Sequence, residues 1–86
     1  MNVLMTPIHV CAIWDTDGNI RPIAFCIEED GEKVKIPIEH ISRRSEEKIA
    51  GHPMMDFFCN AMWNQQQRMV GLRYDLHKHR WYLYKA

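Results

Sequence analysis

The sequence lacks long apolar runs. The longest unbroken ones have five residues each, at 10–14 and 23–27, whereas a transmembrane helix needs about 20. The first 14 residues carry no lysine or arginine and are interrupted by Asn2, Thr6, Pro7 and His9. A secretory signal peptide has a positively charged N-terminal region followed by an uninterrupted apolar stretch, so we expect neither a signal peptide nor a membrane partner.

Cysteine is also scarce. The three cysteines, an odd number, lie far apart and form no C-x-x-C motif, which excludes a disulfide framework and argues against a closed zinc site. We therefore expect a cytoplasmic protein with free thiols.

The chain also has no excess of charge of either sign, with 11 basic and 11 acidic residues among its 86. This length predicts a single domain, 1–86.

Period-two patterns dominate what is present. Asp17-Gly18 and Asp30-Gly31 are two-residue hairpin signals flanked by apolar residues. If both are turns, each register separately places Ile23, Phe25 and Ile27 on the core face of the strand between them, because neighbouring residues on a strand point to opposite sides. The agreement of two independent registers predicts a three-stranded meander over residues 8–39.

The second half repeats the scheme over residues 54–85. Loops at 64–67 and 77–80 bring most apolar residues to one face, with Leu72 and Tyr74 among them. Between the meanders, Ser45 as N-cap and Gly51 as stop predict a short helical turn near 45–50. Two sheets with one apolar face each must bury those faces together. We therefore predict an all-β fold, a six-stranded small barrel or sandwich made of two three-stranded antiparallel meanders. The predicted core comprises Ile8, Val10, Trp14, Phe25, Ile27, Val34, Ile36, Phe57, Leu72, Tyr74, Leu76, Trp81 and Leu83.

A resemblance accompanies this pattern. The segment DTDGNIRPIAF at 15–25, with LRYD at 72–75 and WYL at 81–83, resembles small uncharacterised bacterial proteins of unknown function. It spans most of the chain, but it consists of turn and strand residues. The resemblance implies a bacterial all-β protein and no particular activity.

Reactive side chains form no strong motif. His9, Cys11 and Cys26 share one face of the first hairpin, where they could act as a nucleophile pair or as metal ligands. No fourth ligand is at hand, so we interpret them as half-buried strand residues. His77 and His79 fit a polar turn. We predict no catalytic residue, no metal site and no cofactor.

The charge distribution suggests one kind of partner. Residues 1–67 hold six basic and ten acidic side chains, a net of −4, whereas residues 68–86 hold five and one, a net of +4. Bases alternate with aromatic residues there, and this mixture suits phosphates and stacked bases. One hypothesis is therefore a nucleic-acid-binding module that uses Arg73, His77, Lys78, Arg80 and Tyr82.

The solvent-side face of the second meander suggests another. By the predicted register it carries several large apolar or aromatic residues around one arginine, which a face that met only water would not need. Methionine, tyrosine and arginine are favoured at protein interfaces. Our main hypothesis is a non-enzymatic binding module that contacts a partner protein, most simply a second copy of itself. The predicted contact residues are Phe58, Met62, Met69, Arg73, Tyr82 and Tyr84.

Overall fold

The protein is a closed barrel of six antiparallel strands. The computed structural model describes residues 3–86. Each strand pairs with the next along the chain, and the last pairs back with the first, which confirms the predicted all-β barrel. Within residues 3–86 there is no helix long and apolar enough to cross a membrane. The strands are β1 (Val3–Trp14), β2 (Ile20–Glu29), β3 (Glu32–Ile49), β4 (His52–Trp63), β5 (Gln66–Asp75) and β6 (Arg80–Lys85).

The first two hairpins have nearly the predicted registers. The β2–β3 register is confirmed, with Phe25 opposite Ile36. The β1–β2 register holds as far as Cys11 opposite Ala24, where a bulge intervenes and Ala12 faces Pro22 instead. Ile23 is the extra residue of the bulge and turns outward, with 38% of its surface exposed.

Two positions predicted to face the core do not lie there, and only the first of them, Ile23, results from the bulge. Beyond it, Ile20 takes the inward side of β2 and is only 4% exposed, whereas Ile23 lies outside. Trp14 pairs with Ile20 at the last rung of the ladder. It lies at the rim of the barrel and is 53% exposed, so the prediction that Trp14 belongs to the core is wrong.

The loops of the second half are placed differently from the prediction. Asn64 and Gln65 both adopt positive φ, 53° and 61°, and form a two-residue turn in place of the predicted four-residue loop. Met62 therefore faces Gln67, and Met69 faces Asn60. The β5–β6 register shifts by the same two residues, with Tyr74 opposite Trp81. A shift of two is one full side-chain period, so every residue keeps its predicted face.

The predicted helical turn near 45–50 is wrong. Residues 43–49 are strand, paired with residues 52–58 of β4, and Ala50 and Gly51 make the turn with φ of 50° and 83°. One isolated helical turn is costly to nucleate, whereas β4 offers a complete hydrogen-bond ladder. Two bulges, at Ile38/His40 and Ile41/Arg43, make β3 coil strongly, and this long strand joins the two halves of the barrel.

Aromatic side chains fill the barrel. Trp81 lies between Phe57 and Tyr74, with ring centroids 5.6 and 4.8 Å away. Near the β4–β5 turn, Trp63 packs edge-on against Phe25 at 5.9 Å and donates a hydrogen bond of 2.8 Å to Oε1 of Glu29. This contact joins β2 to β4 and closes that end of the barrel.

Candidate interaction surfaces

We define the outer sheet face as the solvent side of β4, β5 and β6. Phe58, Met62, Met69, Arg73, Tyr82 and Tyr84 all lie on it. They alternate along the strands with core residues such as Phe57 and Leu72, both fully buried. Their exposure nevertheless differs widely, and this decides which of them can meet a partner.

Arg73 is buried on this face by an ion pair. Its Nε and Nη2 atoms donate hydrogen bonds to the two carboxylate oxygens of Asp56, at 2.7 and 2.8 Å. The ring of Tyr84 covers the guanidinium, with its centroid 3.6 Å from Cζ. Glu47 adds a longer contact of 3.4 Å from β3. The side chains of Arg73 and Asp56 are only 6% and 2% exposed.

The pair is electrostatically complete. The hydrogen bonds to Asp56, opposed in part by burial, raise the pKa of Arg73 above its ordinary value. A bidentate arginine–carboxylate pair is strong because both charges keep their hydrogen bonds. Arg73 would reach a phosphate or a partner only by giving up Asp56 and Tyr84. The pair was not predicted from the sequence, because the predicted four-residue loop at 64–67 sets a register in which Phe58, rather than Asp56, lies opposite Arg73.

Phe58 is also held from several sides. It lies opposite Gly71, where a Cβ atom would come within 3.3 Å of the Phe58 ring, so the absent side chain makes room for the aromatic one. The guanidinium of Arg43 lies 4.5 Å from the centre of the ring, and Lys85 Nζ lies 5.6 Å away. Much of the aromatic surface predicted to meet a partner is therefore used within the chain.

Met62 and Met69 remain open. They are 37% and 43% exposed, and their cross-strand partners, Gln67 and Asn60, make them diagonal neighbours on the outer sheet face. We call these two residues the methionine patch. Their unbranched thioether side chains adapt readily to different apolar surfaces, so the patch can make apolar contacts but supplies no reactive group.

The basic turn between β5 and β6 is ordered by Asp75. Its Oδ1 accepts hydrogen bonds of 2.9 Å from the backbone N–H groups of both His77 and Lys78. These bonds, that of Lys78 foremost, hold the pKa of Asp75 below its usual 3.8. His79 shares a 2.8 Å hydrogen bond with the Tyr74 hydroxyl. The turn leaves the side chains of His77, Lys78 and Arg80 exposed to solvent.

The cysteines occupy three different environments. Cys11 is exposed and Cys26 half-buried, with His9 opposite Cys26 on the outer face of the first hairpin. Cys59 is buried in the core, and its burial raises the pKa of the thiol to about 12, with Arg44 acting weakly against this. Cys59 is therefore held as a protonated thiol and contributes packing rather than nucleophilic chemistry.

Comparison of the chain with protein-family models, curated proteins and solved structures found no match. The resemblance to small bacterial proteins therefore stays a prediction. Function has to be argued from the surfaces themselves.

Proposed function

We propose that the protein is a non-enzymatic binding module that acts through protein–protein contacts, in the simplest case with a second copy of itself. The observation that carries this is the methionine patch: two large apolar side chains, 37% and 43% exposed, which are diagonal neighbours on the outer sheet face. In a symmetric dimer the same patch lies in the contact on both subunits, so each patch covers the other.

The ion pair on the same sheet face supports the proposal. Asp56, Arg73 and Tyr84 tie β4, β5 and β6 together on the side where the patch lies. A contact surface on a rigid support loses less conformational entropy on binding. Two methionines bury little area, and at about 25 cal/mol per Å² this burial gives little binding free energy. We therefore expect a weak, concentration-dependent association.

The test is a single charge in the patch. Met62→Glu places an unpaired carboxylate where the partner would exclude water, so it should shift the protein to monomer without unfolding it. Met5→Glu is the matched control, because Met5 is similarly exposed, at 47%, and lies on β1. Sedimentation velocity over a concentration series, with circular dichroism for the fold, reads out both variants.

The two possible failures have different meanings. A wild type that stays monomeric at high micromolar concentration overturns self-association. A Met62→Glu variant that unfolds would show that the patch belongs to the packing of the barrel. Leu72→Glu gives the reference for that case, because Leu72 is fully buried and a charge there should unfold the chain.

A second candidate function is nucleic-acid binding. The observation favouring it is the ordered turn that presents His77, Lys78 and Arg80 to solvent, next to half-buried Tyr82. Binding of a mixed single-stranded oligonucleotide should weaken steeply with salt, because bound cations release counterions. Undetectable binding at low salt rejects this candidate.

The proposed function also includes a cytoplasmic location, which the three free thiols support.

A further inference from the structure

The strands β2 and β3 separate halfway along their length. Their ladder runs from Glu29–Glu32 to Ala24–Pro37 and ends there. Beyond that point residues 20–22 of β2 pair only with β1, and residues 38–49 of β3 pair only with β4. The separated strands flank a cleft of about 570 Å³, open to solvent. We call it the β2–β3 cleft.

The sequence explains the separation. Pro37 lacks the N–H that a ladder needs, and the two bulges of β3 follow it at once. Each bulge adds a residue and increases the twist, so β3 follows β4 and leaves β2. On its cleft side, the stretch 38–44 then offers backbone groups that no strand of residues 3–86 pairs. An unpaired edge is a template for an added strand. The β2 side is the poorer template, since Pro22 interrupts its donors.

The cleft is positively charged. Its lining includes Arg21, Arg43 and Arg44 against the single acid Glu39, which is three positive charges and one negative, a net of +2. Among residues 3–86 both ion pairs belong to Arg73, so these three guanidinium groups form none, although those of Arg43 and Arg44 lie 4.5 and 5.5 Å from the ring centres of Phe58 and Phe57. Such a lining attracts carboxylates and repels cations.

One further acid, Asp15, lies close to this lining, and the backbone hydrogen bond from Asn19 and the charge of Arg44 both lower its pKa. Asp15 shares a neighbouring cavity of about 260 Å³ with Arg21 and Arg44. Its Oδ1, however, accepts hydrogen bonds of 2.9 Å from the N–H groups of both Asp17 and Asn19, which fixes it in the β1–β2 turn. The outward-turned Ile23 adds an apolar contact at the cleft wall.

We propose that the β2–β3 cleft binds an extended, acidic segment of a partner protein, which adds to β3 as a further strand. Because it contains two bulges, the stretch 38–44 spans at most about 23 Å, seven residues at roughly 3.3 Å each, which leaves room for a segment of at most about seven residues. Backbone hydrogen bonds supply affinity, and the arginines select acidic side chains. This surface is separate from the methionine patch and does not depend on it.

The probe is a fluorescein-labelled octapeptide of alternating glutamate and threonine, titrated with the full chain by fluorescence anisotropy. We expect binding that weakens with salt. The double variant Arg21→Glu, Arg44→Glu should bind about tenfold or more weakly, because each reversal replaces an attraction for a glutamate side chain with a repulsion. Lys33→Glu is the matched control, because it makes the same change at an exposed position of β3 outside the cleft.

Three further ligands decide the mode of binding. The same peptide with alternate backbone nitrogens methylated should bind poorly if it adds as a strand, and equal binding overturns the strand addition. A lysine–threonine octapeptide should not bind. A deoxythymidine decamer that binds the cleft where the acidic peptide does not would assign it to nucleic acid and reject the proposal. Met62→Glu should leave peptide binding unchanged, which separates this test from that of self-association.

Discussion

Removing Asp56 should cost the protein a large part of its stability. Asp56→Ala removes the two hydrogen bonds of 2.7 and 2.8 Å from Arg73, whose side chain is only 6% exposed in the intact protein. Breaking a buried pair on one side costs about 3–5 kcal/mol. A small domain has only about 5–15 kcal/mol in total. Glu47→Ala is the control, since Glu47 is 49% exposed, lies 3.4 Å from Arg73 and should cost less than about 1 kcal/mol.

Urea unfolding, followed by tryptophan fluorescence and circular dichroism, measures both variants. With a slope of about 1–3 kcal/mol per molar urea, the midpoint of Asp56→Ala should fall by at least about 1 M. The double variant Asp56→Ala, Arg73→Leu removes both charges and should recover much of the loss, because no unpaired ion remains. If Asp56→Ala costs no more than Glu47→Ala, or if the double variant is worse than Asp56→Ala alone, the pair is not the buried contact described above.

The remaining predictions concern three titratable groups. Cys11 should react quickly with a thiol reagent, and Cys59 should react only on unfolding. Folding raises the pKa of Cys59 from 9.0 to about 12. The free energy of unfolding should therefore fall as pH rises through that range. A Cys59→Ala variant should lack this alkaline loss, and an unchanged profile would refute it. Folding lowers the pKa of Asp75 below 3.8, so its contribution is present above pH 3.8 and is lost as pH falls below it. Asp75→Asn should reduce the difference between urea midpoints at pH 6 and pH 3, and an undiminished difference would contradict the role of Asp75.

The fold was predictable because a register error of two residues leaves every side chain on its predicted face of the sheet. The Asp30-Gly31 turn determines its register completely, and the loops at 64–67 and 77–80 were misplaced by one full side-chain period without moving any residue to the wrong face. Bulges shift by one residue instead, and the sequence carries no sign of them at Ala12 or Ile38. For this reason Ile23 was misassigned, whereas Trp14 keeps its predicted face and was misassigned because it lies at the rim of the barrel.

The surfaces were harder to predict than the fold. The residues of the outer sheet face followed from alternation alone, but the Asp56–Arg73 pair needs the true register. The charged stretch 43–49 has local features typical of a helix, and only β4 makes it a strand. The β2–β3 cleft depends on residues 38–44 leaving β2; Pro37 is a local sign of this, but the bulges that follow it have none.

The order of the strands has a consequence for how the chain folds. Five of the six strand contacts join elements adjacent in sequence, and only β6 against β1 joins distant ones, for example Ile8 with Trp81. Hairpins form over short loops at little entropic cost, whereas this last closure spans nearly the whole chain. The slow, non-local step of folding is therefore the pairing of β6 with β1. Until that pairing forms, Trp81 has no β1 residues to pack against.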